Sequence, residues 1–245
     1  MSRSHSPRSD LEEGVCPMSI RMADLNGNPF IGVFCRLVGR FALCPMDTQD
    51  EMEELMRQVM GLEPVRTAAG NTNLHGSLIA ANSHGIMVPY FYNRDDVISA
   101  LSAAGADMEG LEVVVCDDPH TAWGNNVLLS ERRALVNPDL SQGSIKLIEE
   151  VFQVEAVKGT IAGIRTVGSI AVINSKGMLV HPKATANDQE GLKELFGVEP
   201  YICTANFGSP YLGASMIAND RGALVGSRSS GVELNRIENS LDLID

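Results

Sequence analysis

The chain has 245 residues, 44% of them apolar, and its 31 Asp and Glu against 19 Lys and Arg give a formal net charge of −12 at pH 7. That acidity excludes broad tracking of a phosphate backbone, which draws its affinity from many Lys and Arg contacts. The longest apolar runs, residues 111–116 and 169–173, fall well short of the roughly 18 to 20 needed to cross a bilayer. Cysteines 16, 35, 44, 116 and 203 form no C-x-x-C pair, so they read as reduced thiols rather than a disulfide framework or a zinc site.

Residues 1–17 are polar, and the first 20 residues carry Arg3 and Arg8 without an apolar run before a small-residue cleavage site, so no secretory leader is expected. They are expected to be a disordered extension of a cytoplasmic, soluble protein, with Met18 and Met22 as alternative starts to Met1. Beyond them one pattern recurs. A glycine opens an apolar run, an Asn-x-x-Gly turn follows, and a second apolar run ends in Val: GSLIAANSHGIMVP over residues 76–89, GSIAVINSKGMLVHP over 168–182. A faint copy precedes these, from Gly32 to Cys44 and Pro45. A degraded one runs from Gly124 through Ser130 and Arg133 to Val136 and Pro138, and another from Gly213 through Asn219 and Gly222 to Val225. The anchor glycines 32, 76, 124, 168 and 213 recur about every 45 residues.

Each copy continues in the same phase. Helix-start signals stand at Thr48 with Glu51, Asn93 with Asp96, Asp139 with Gln142, Thr185 with Asp188 and Ser230 with Glu233. Helical spacing follows, as in Ile145, Ile148 and Phe152 or Leu234, Ile237 and Leu241. Then an apolar-Glu-x-apolar segment at residues 62–65, 111–114, 154–157 and 198–201 reads as a third strand. A unit of this size cannot bury its sheet and helix alone, so neighbours must share a core, and a closed ring removes the exposed sheet edges of an open array. The expectation is an α/β fold, a five-bladed propeller with strands lining the axis and helices outside, forming one domain over residues 18–245. The fifth repeat ends at its helix, so residues 19–23 are expected to supply its third strand.

Candidate chemistry is sparse. Histidines 75, 84, 120 and 181 could act as ligands or bases, but His84 and His181 stand where other repeats carry Lys176 and Gly226, which marks structural positions. Asp117, Asp118 and His120 read as a solvated loop rather than a metal site, and Asn82, Asn174 and Asn219 as turn residues with positive φ. No phosphate-cradling glycine motif is present. Cys203 is weighed as a nucleophile because five-bladed α/β propellers also scaffold guanidine-modifying enzymes with a late cysteine. Its place in the predicted third strand of repeat four favours a packed thiol.

Residues 26–34 (NGNPFIGVF), 72–77 (TNLHGS), 134–140 (ALVNPDL), 158–164 (KGTIAGI), 180–185 (VHPKAT) and 204–208 (TANFG) together resemble the archaeal branch of the translation initiation factor six family, over residues 22–244. The resemblance implies the pentein fold and a non-enzymatic, monomeric factor without catalytic residues, cofactor or metal. Its implied partner is the large ribosomal subunit, bound at the intersubunit face beside the sarcin–ricin loop and a neighbouring ribosomal protein, with limited rRNA contact. Binding there prevents small-subunit joining, and a role in large-subunit maturation is implied too. In the family the residues just after the anchor glycines of repeats two to four lie at or near the contact, which marks Ser77, Asn125, Ser169 and Ile170; Gly124 and Asn125 match the family dipeptide. The extension before residue 18 and the missing Asn-x-x-Gly turn of repeat three depart from the family pattern.

Overall fold

A computed structural model of the protein describes residues 19–244; the extension expected over residues 1–17 lies outside them. The chain enters on β1 (Ile20–Ala23). Repeat one supplies a helical turn α1 (Ile31–Phe34), strands β2 (Arg36–Val38) and β3 (Phe41–Pro45), helix α2 (Asp50–Met60) and strand β4 (Glu63–Thr67). Repeat two gives α3 (His75–Leu78), β5 (Ala80–Ala81), β6 (Gly85–Pro89), α4 (Arg94–Ala103) and β7 (Glu112–Cys116). Repeat three gives α5 (Trp123–Asn126), β8 (Val127–Leu129), β9 (Arg133–Val136), α6 (Gln142–Phe152) and β10 (Glu155–Lys158). Repeat four gives α7 (Val167–Ile170), β11 (Ala171–Ile173), β12 (Met178–Val180), α8 (Ala186–Phe196) and β13 (Pro200–Ile202). Repeat five ends with α9 (Leu212–Ser215), β14 (Met216–Ala218), β15 (Ala223–Gly226) and α10 (Gly231–Ser240).

These strands form five three-stranded sheets. In each, the hairpin is antiparallel and the third strand lies parallel to the second, a geometry that needs the intervening helix as a crossover. The last blade is completed as expected: β1 pairs parallel with β15, from Ile20 opposite Ala223 to Ala23 opposite Gly226. The result is a five-bladed α/β propeller, the pentein arrangement.

The anchors differ from expectation. Each glycine occupies the second position of a one-turn helix, so the first strand begins only after that turn. The five turns touch in sequence around the axis, and α9 touches α1 to close the circle. A Cβ built on any of the five would fall closer than 3.0 Å to the carbonyl oxygen of the anchor before it in the ring, Gly32 against Gly213, Gly76 against Gly32, and so on round. Backbone meets backbone at this neck, and any side chain there would drive the turns apart. Apolar periodicity alone does not separate a four-residue turn from a strand start, which is why the turns read as strand.

Beyond the neck the first strand of each blade lines the axis. Helices lie outside and lean across to the preceding blade: α2 packs on β15 and β1, α4 on β4, α6 on β6 and β7. The cores are accordingly shared, with Met56 and Val59 of blade one among Ile217 and Leu224 of blade five. Ile145, Ile148 and Phe152 are buried as their spacing requires, each stabilising by about 1.5–3 kcal/mol.

Capping boxes form at Thr185 with Asp188 and at Ser230 with Glu233, and Asn93 caps α4. Two expected starts shift. Gln49 rather than Thr48 precedes α2, since the Thr48 hydroxyl donates to Pro45 O (2.8 Å). Ser141 rather than Asp139 caps α6, and Asp139 pairs with Arg165 at 2.5 Å. Residue type does not choose between two capable caps two positions apart.

The Asn-x-x-Gly turns also work differently from expectation. Neither their asparagines nor their glycines are among the positive-φ residues. Each Asn Oδ1 accepts two backbone N–H groups inside its turn, while Nδ2 reaches the end of the next blade's helix: Asn82 to Phe152 O, Asn174 to Leu241 O and Asn219 to Met60 O, each 2.9 Å. Glycine follows because a Cβ at Gly85, Gly177 or Gly222 would strike that helix-end backbone. In repeat three the Ser130 hydroxyl makes the internal bonds alone. Asn219→Ala should therefore lower unfolding free energy in urea by about 1–3 kcal/mol through the orphaned carbonyl, against about 1 kcal/mol or less for Ser130→Ala. Equal losses would show that the turns do not bolt the blades together.

Candidate functional site

Strand direction gives the ring two unlike faces. The second and third strands of every blade run toward one face, which carries the helix N-termini and the loops leading to the anchor turns; the hairpin turns and helix C-termini occupy the other. On the loop face three connections are stiffened by facing backbone pairs, Leu25 with Asn28, Ile161 with Ile164 and Ala205 with Ser209. Their tips turn left-handed at Asn26 and Gly27, at Ala162 and Gly163, and at Asn206, Phe207 and Gly208.

The third of these loops is built on a buried carboxylate. Glu233 caps α10 by accepting from Ser230 N (2.7 Å), and it also accepts from Thr204 Oγ1 (2.8 Å), Phe207 N (3.2 Å) and Gly208 N (2.8 Å). Burial works to raise its pKa, but these donors outweigh it and hold the carboxyl below its usual range. Asn206 Nδ2 donates to Pro29 O (2.9 Å), tying the loop to blade one. Phe207 is thus held at φ 61°, a strained conformation for a bulky residue, with 84% of its surface exposed. Tyr211, Met46, Tyr90 and Phe91 are also exposed, and the Tyr90 and Phe91 rings meet edge to face at 5.3 Å. The sequence reading missed these side chains because they fall in connections, where composition does not reveal exposure.

Ser77, Asn125 and Ser169 lie in α3, α5 and α7, each one position past its neck glycine and half-buried. The ring brings their three turns together in order around the axis. Ile170 is a correction: its side chain is fully buried with Leu128 and Met178 and offers no surface to a partner. Among the described residues the Asn125 side chain makes no hydrogen bond, whereas Asn126 is locked, donating to Ala122 O and accepting from Asn137 Nδ2. The two adjacent asparagines therefore divide into one free amide and one structural one.

The remaining candidates are structural. Cys203 lies just past β13 rather than within it; burial pushes its thiol up to about 11 and Sγ donates to Thr204 O, so it is not a thiolate at neutral pH. His75 is buried between Tyr92 Oη and Thr67 O, both 3.1 Å away, and burial lowers its pKa. His181 Nδ1 accepts from Lys183 N (3.1 Å). Asp118, read above as solvated, is buried and accepts from Ser144 Oγ (2.6 Å), His120 N (2.9 Å) and His120 Nδ1 (3.0 Å). Among the described residues no group of three or more His, Cys, Asp or Glu could hold a metal ion, and no helix is long and apolar enough to cross a membrane.

Fold and site together define a five-bladed α/β propeller of the pentein kind with one face of backbone-braced loops, one of them tipped by Phe207. The chain belongs to the eIF-6 family, whose model matches residues 20–240. It is 34% identical to translation initiation factor 6 of Methanosarcina mazei over 226 residues, covering 92% of this chain and 100% of that one. It is 37% identical to the factor of Picrophilus torridus, covering 90% and 98%, and 35% identical to that of Pyrococcus abyssi, covering 93% and 100%. Among solved structures, a crystal structure of dimethylarginine dimethylaminohydrolase is similar with a TM-score of 0.46 and 12% identity, covering 71% of this chain and 68% of that one.

Asp118 gives a pH test. Burial favours its neutral form, but the donors from Ser144 and His120 prevail and set its pKa at about 2, below the ordinary value of 3.8. A depressed carboxyl stabilises the fold above its unfolded pKa and stops doing so as pH falls through its folded one. Asp118→Asn should then cost about 2 kcal/mol near neutrality in urea unfolding, and the gap to wild type should close between about pH 4 and about pH 2. A gap that does not change with pH would mean that the charge itself contributes nothing.

Proposed function

We propose that this protein binds the large ribosomal subunit at its intersubunit face, blocks premature joining of the small subunit, and takes part in large-subunit maturation. It does so as a monomeric ring over residues 18–245 in the cytoplasm. Membership of a family of translation initiation factors supports the setting. The observation that carries the reading is Phe207, a large apolar side chain held exposed and strained on a loop built around Glu233. An ordered aromatic loses little entropy on docking and makes the kind of anchor that dominates interface energy.

The partner that best matches a chain of net charge −12 is a basic ribosomal protein, the one beside the sarcin–ricin loop, with limited rRNA contact. Ser77, Asn125 and Ser169 add polar contacts near the axis, and Asn125 has an amide to spare. Blocking then needs no chemistry, only a rigid body seated where the small subunit must dock. A guanidine-modifying activity on Cys203 has no support in a buried, protonated thiol.

Sedimentation with purified large subunits tests this. The wild-type chain should co-migrate stoichiometrically and reduce the yield of joined ribosomes, with a shallow dependence on salt. Phe207→Ala should weaken binding tenfold or more and Asn125→Ser by about 1–2 kcal/mol, both at unchanged melting temperature. A wild-type chain that stays at the top of the gradient would contradict the reading. Full affinity in both variants would move the contact to the hairpin face.

A further inference from the structure

The axis carries a feature outside the loop face to which ribosome binding is assigned above. On the hairpin side of the neck the five first strands enclose a cavity of about 860 Å³, in the size range of small-molecule sites, with Leu37, Val127, Val172 and Ile217 in its wall. One half-buried cation stands in that wall. Arg36, the first residue of β2, donates from Nη2 to Gly76 O, but its Nε is buried and unpartnered, and among the described residues no carboxylate pairs with it. Its guanidinium has room only because repeat three carries glycine at its anchor, since a Cβ on Gly124 would strike Nη2. A guanidinium with a buried, unpartnered Nε–H is well matched by an oxyanion that can take two parallel N–H bonds. Burial lowers its pKa to about 10, so it stays charged at neutral pH.

The other charges lining the cavity come from the hairpin turns and from α8: Glu131, Arg132, Arg133, Glu194 and Asp220. Arg133 is paired with Glu155, Glu131 accepts from Ser83, and Asp220 accepts from Ser175 N (2.8 Å). At the mouth Arg132 and Arg133 stand among three carboxylates, so Arg36 is the one cation set against the inner aliphatic wall, where it matches a single carboxylate head and leaves the further charges of a polyanion uncompensated. The cavity also reaches Leu195, Phe196 and Gly197 at the end of α8, the seam where Ser130 replaces the bolting asparagine. We propose that this cavity is a binding site for a small organic monoanion, a carboxylate head on an uncharged apolar body, with the head on the Arg36 guanidinium and the body against the aliphatic wall.

The test titrates the full chain at constant ionic strength with benzoate, its neutral analogue benzyl alcohol, and the polyanion citrate. Calorimetry gives the affinity and methyl NMR gives the place. One benzoate per chain should bind, shifting methyl signals of Val127, Val172 and Ile217, and benzyl alcohol and citrate should each bind at least tenfold more weakly. Arg36→Met should remove at least tenfold of the benzoate affinity and leave benzyl alcohol unchanged. The proposal is overturned by no saturable benzoate binding, by equal affinity for benzoate and benzyl alcohol, by shifts scattered over the outer surface, or by wild-type benzoate affinity in a folded Arg36→Met chain. If that variant does not fold, the three probes and the shift map on the wild-type chain decide by themselves.

Discussion

Five backbone contacts hold this molecule's geometry. At the neck each anchor glycine lies against the carbonyl of the anchor before it, and the circle closes only because none of the five carries a Cβ. Everything outward follows from that approach. It brings neighbouring sheets near enough for each helix to pack across a blade boundary, so that no blade owns a complete core. Because the sheets radiate from a common neck, their loops collect on one face and their hairpins on the other. Closure also requires a third strand for the last blade, which β1 provides from the other end of the chain. The asparagine bolts from hairpin turn to neighbouring helix end are a second ring of ties, present at three of the five boundaries and reduced to local bonds at Ser130.

Much of this was legible before any coordinates. Glycines recurring about every 45 residues, with capping signals and third strands in constant phase, define five blades. The missing strand of the fifth points to residues 19–23, where β1 lies. What escaped was finer. The anchor turns were hidden because four residues of helix and the start of an apolar strand look alike in periodicity. The Asn-x-x-Gly turns are plain in sequence but their cause is not: the glycine is there for the neighbouring helix end rather than for its own φ, and that partner lies in another repeat. Asp118 reads as solvated in sequence because the Ser144 hydroxyl that donates to it is 26 residues further on.

The candidate site was less readable than the fold for the same reason. Ser77, Asn125 and Ser169 follow from family position, and the ring does bring their turns together, while Ile170 proves to be core. Residue type does not distinguish Asn125 from Asn126; only the hydrogen bonds of the second do. Phe207 carries the reading of the loop face, yet in sequence it is one aromatic in a short connection. Its meaning comes from Glu233, a capping residue whose carboxylate also organises a loop of the preceding blade boundary. A cap and a presentation device are the same side chain.

The account therefore stands on the neck, and equilibrium unfolding of single Gly→Ala variants measures it most directly. Alanine at 32, 76, 124, 168 or 213 must push a methyl into a carbonyl of the preceding turn, with little room to yield because that turn is itself wedged on its other side. Each should lose several kcal/mol or fail to fold, beyond the roughly 1–3 kcal/mol usual for overpacking. Gly191 is the internal control, since it lies exposed within α8 with open space where its Cβ would be. Gly191→Ala should gain about 0.5–1 kcal/mol from helix propensity. An anchor variant that unfolds like wild type, or like Gly191→Ala, would show that the blades are held apart by something other than backbone contact at the axis.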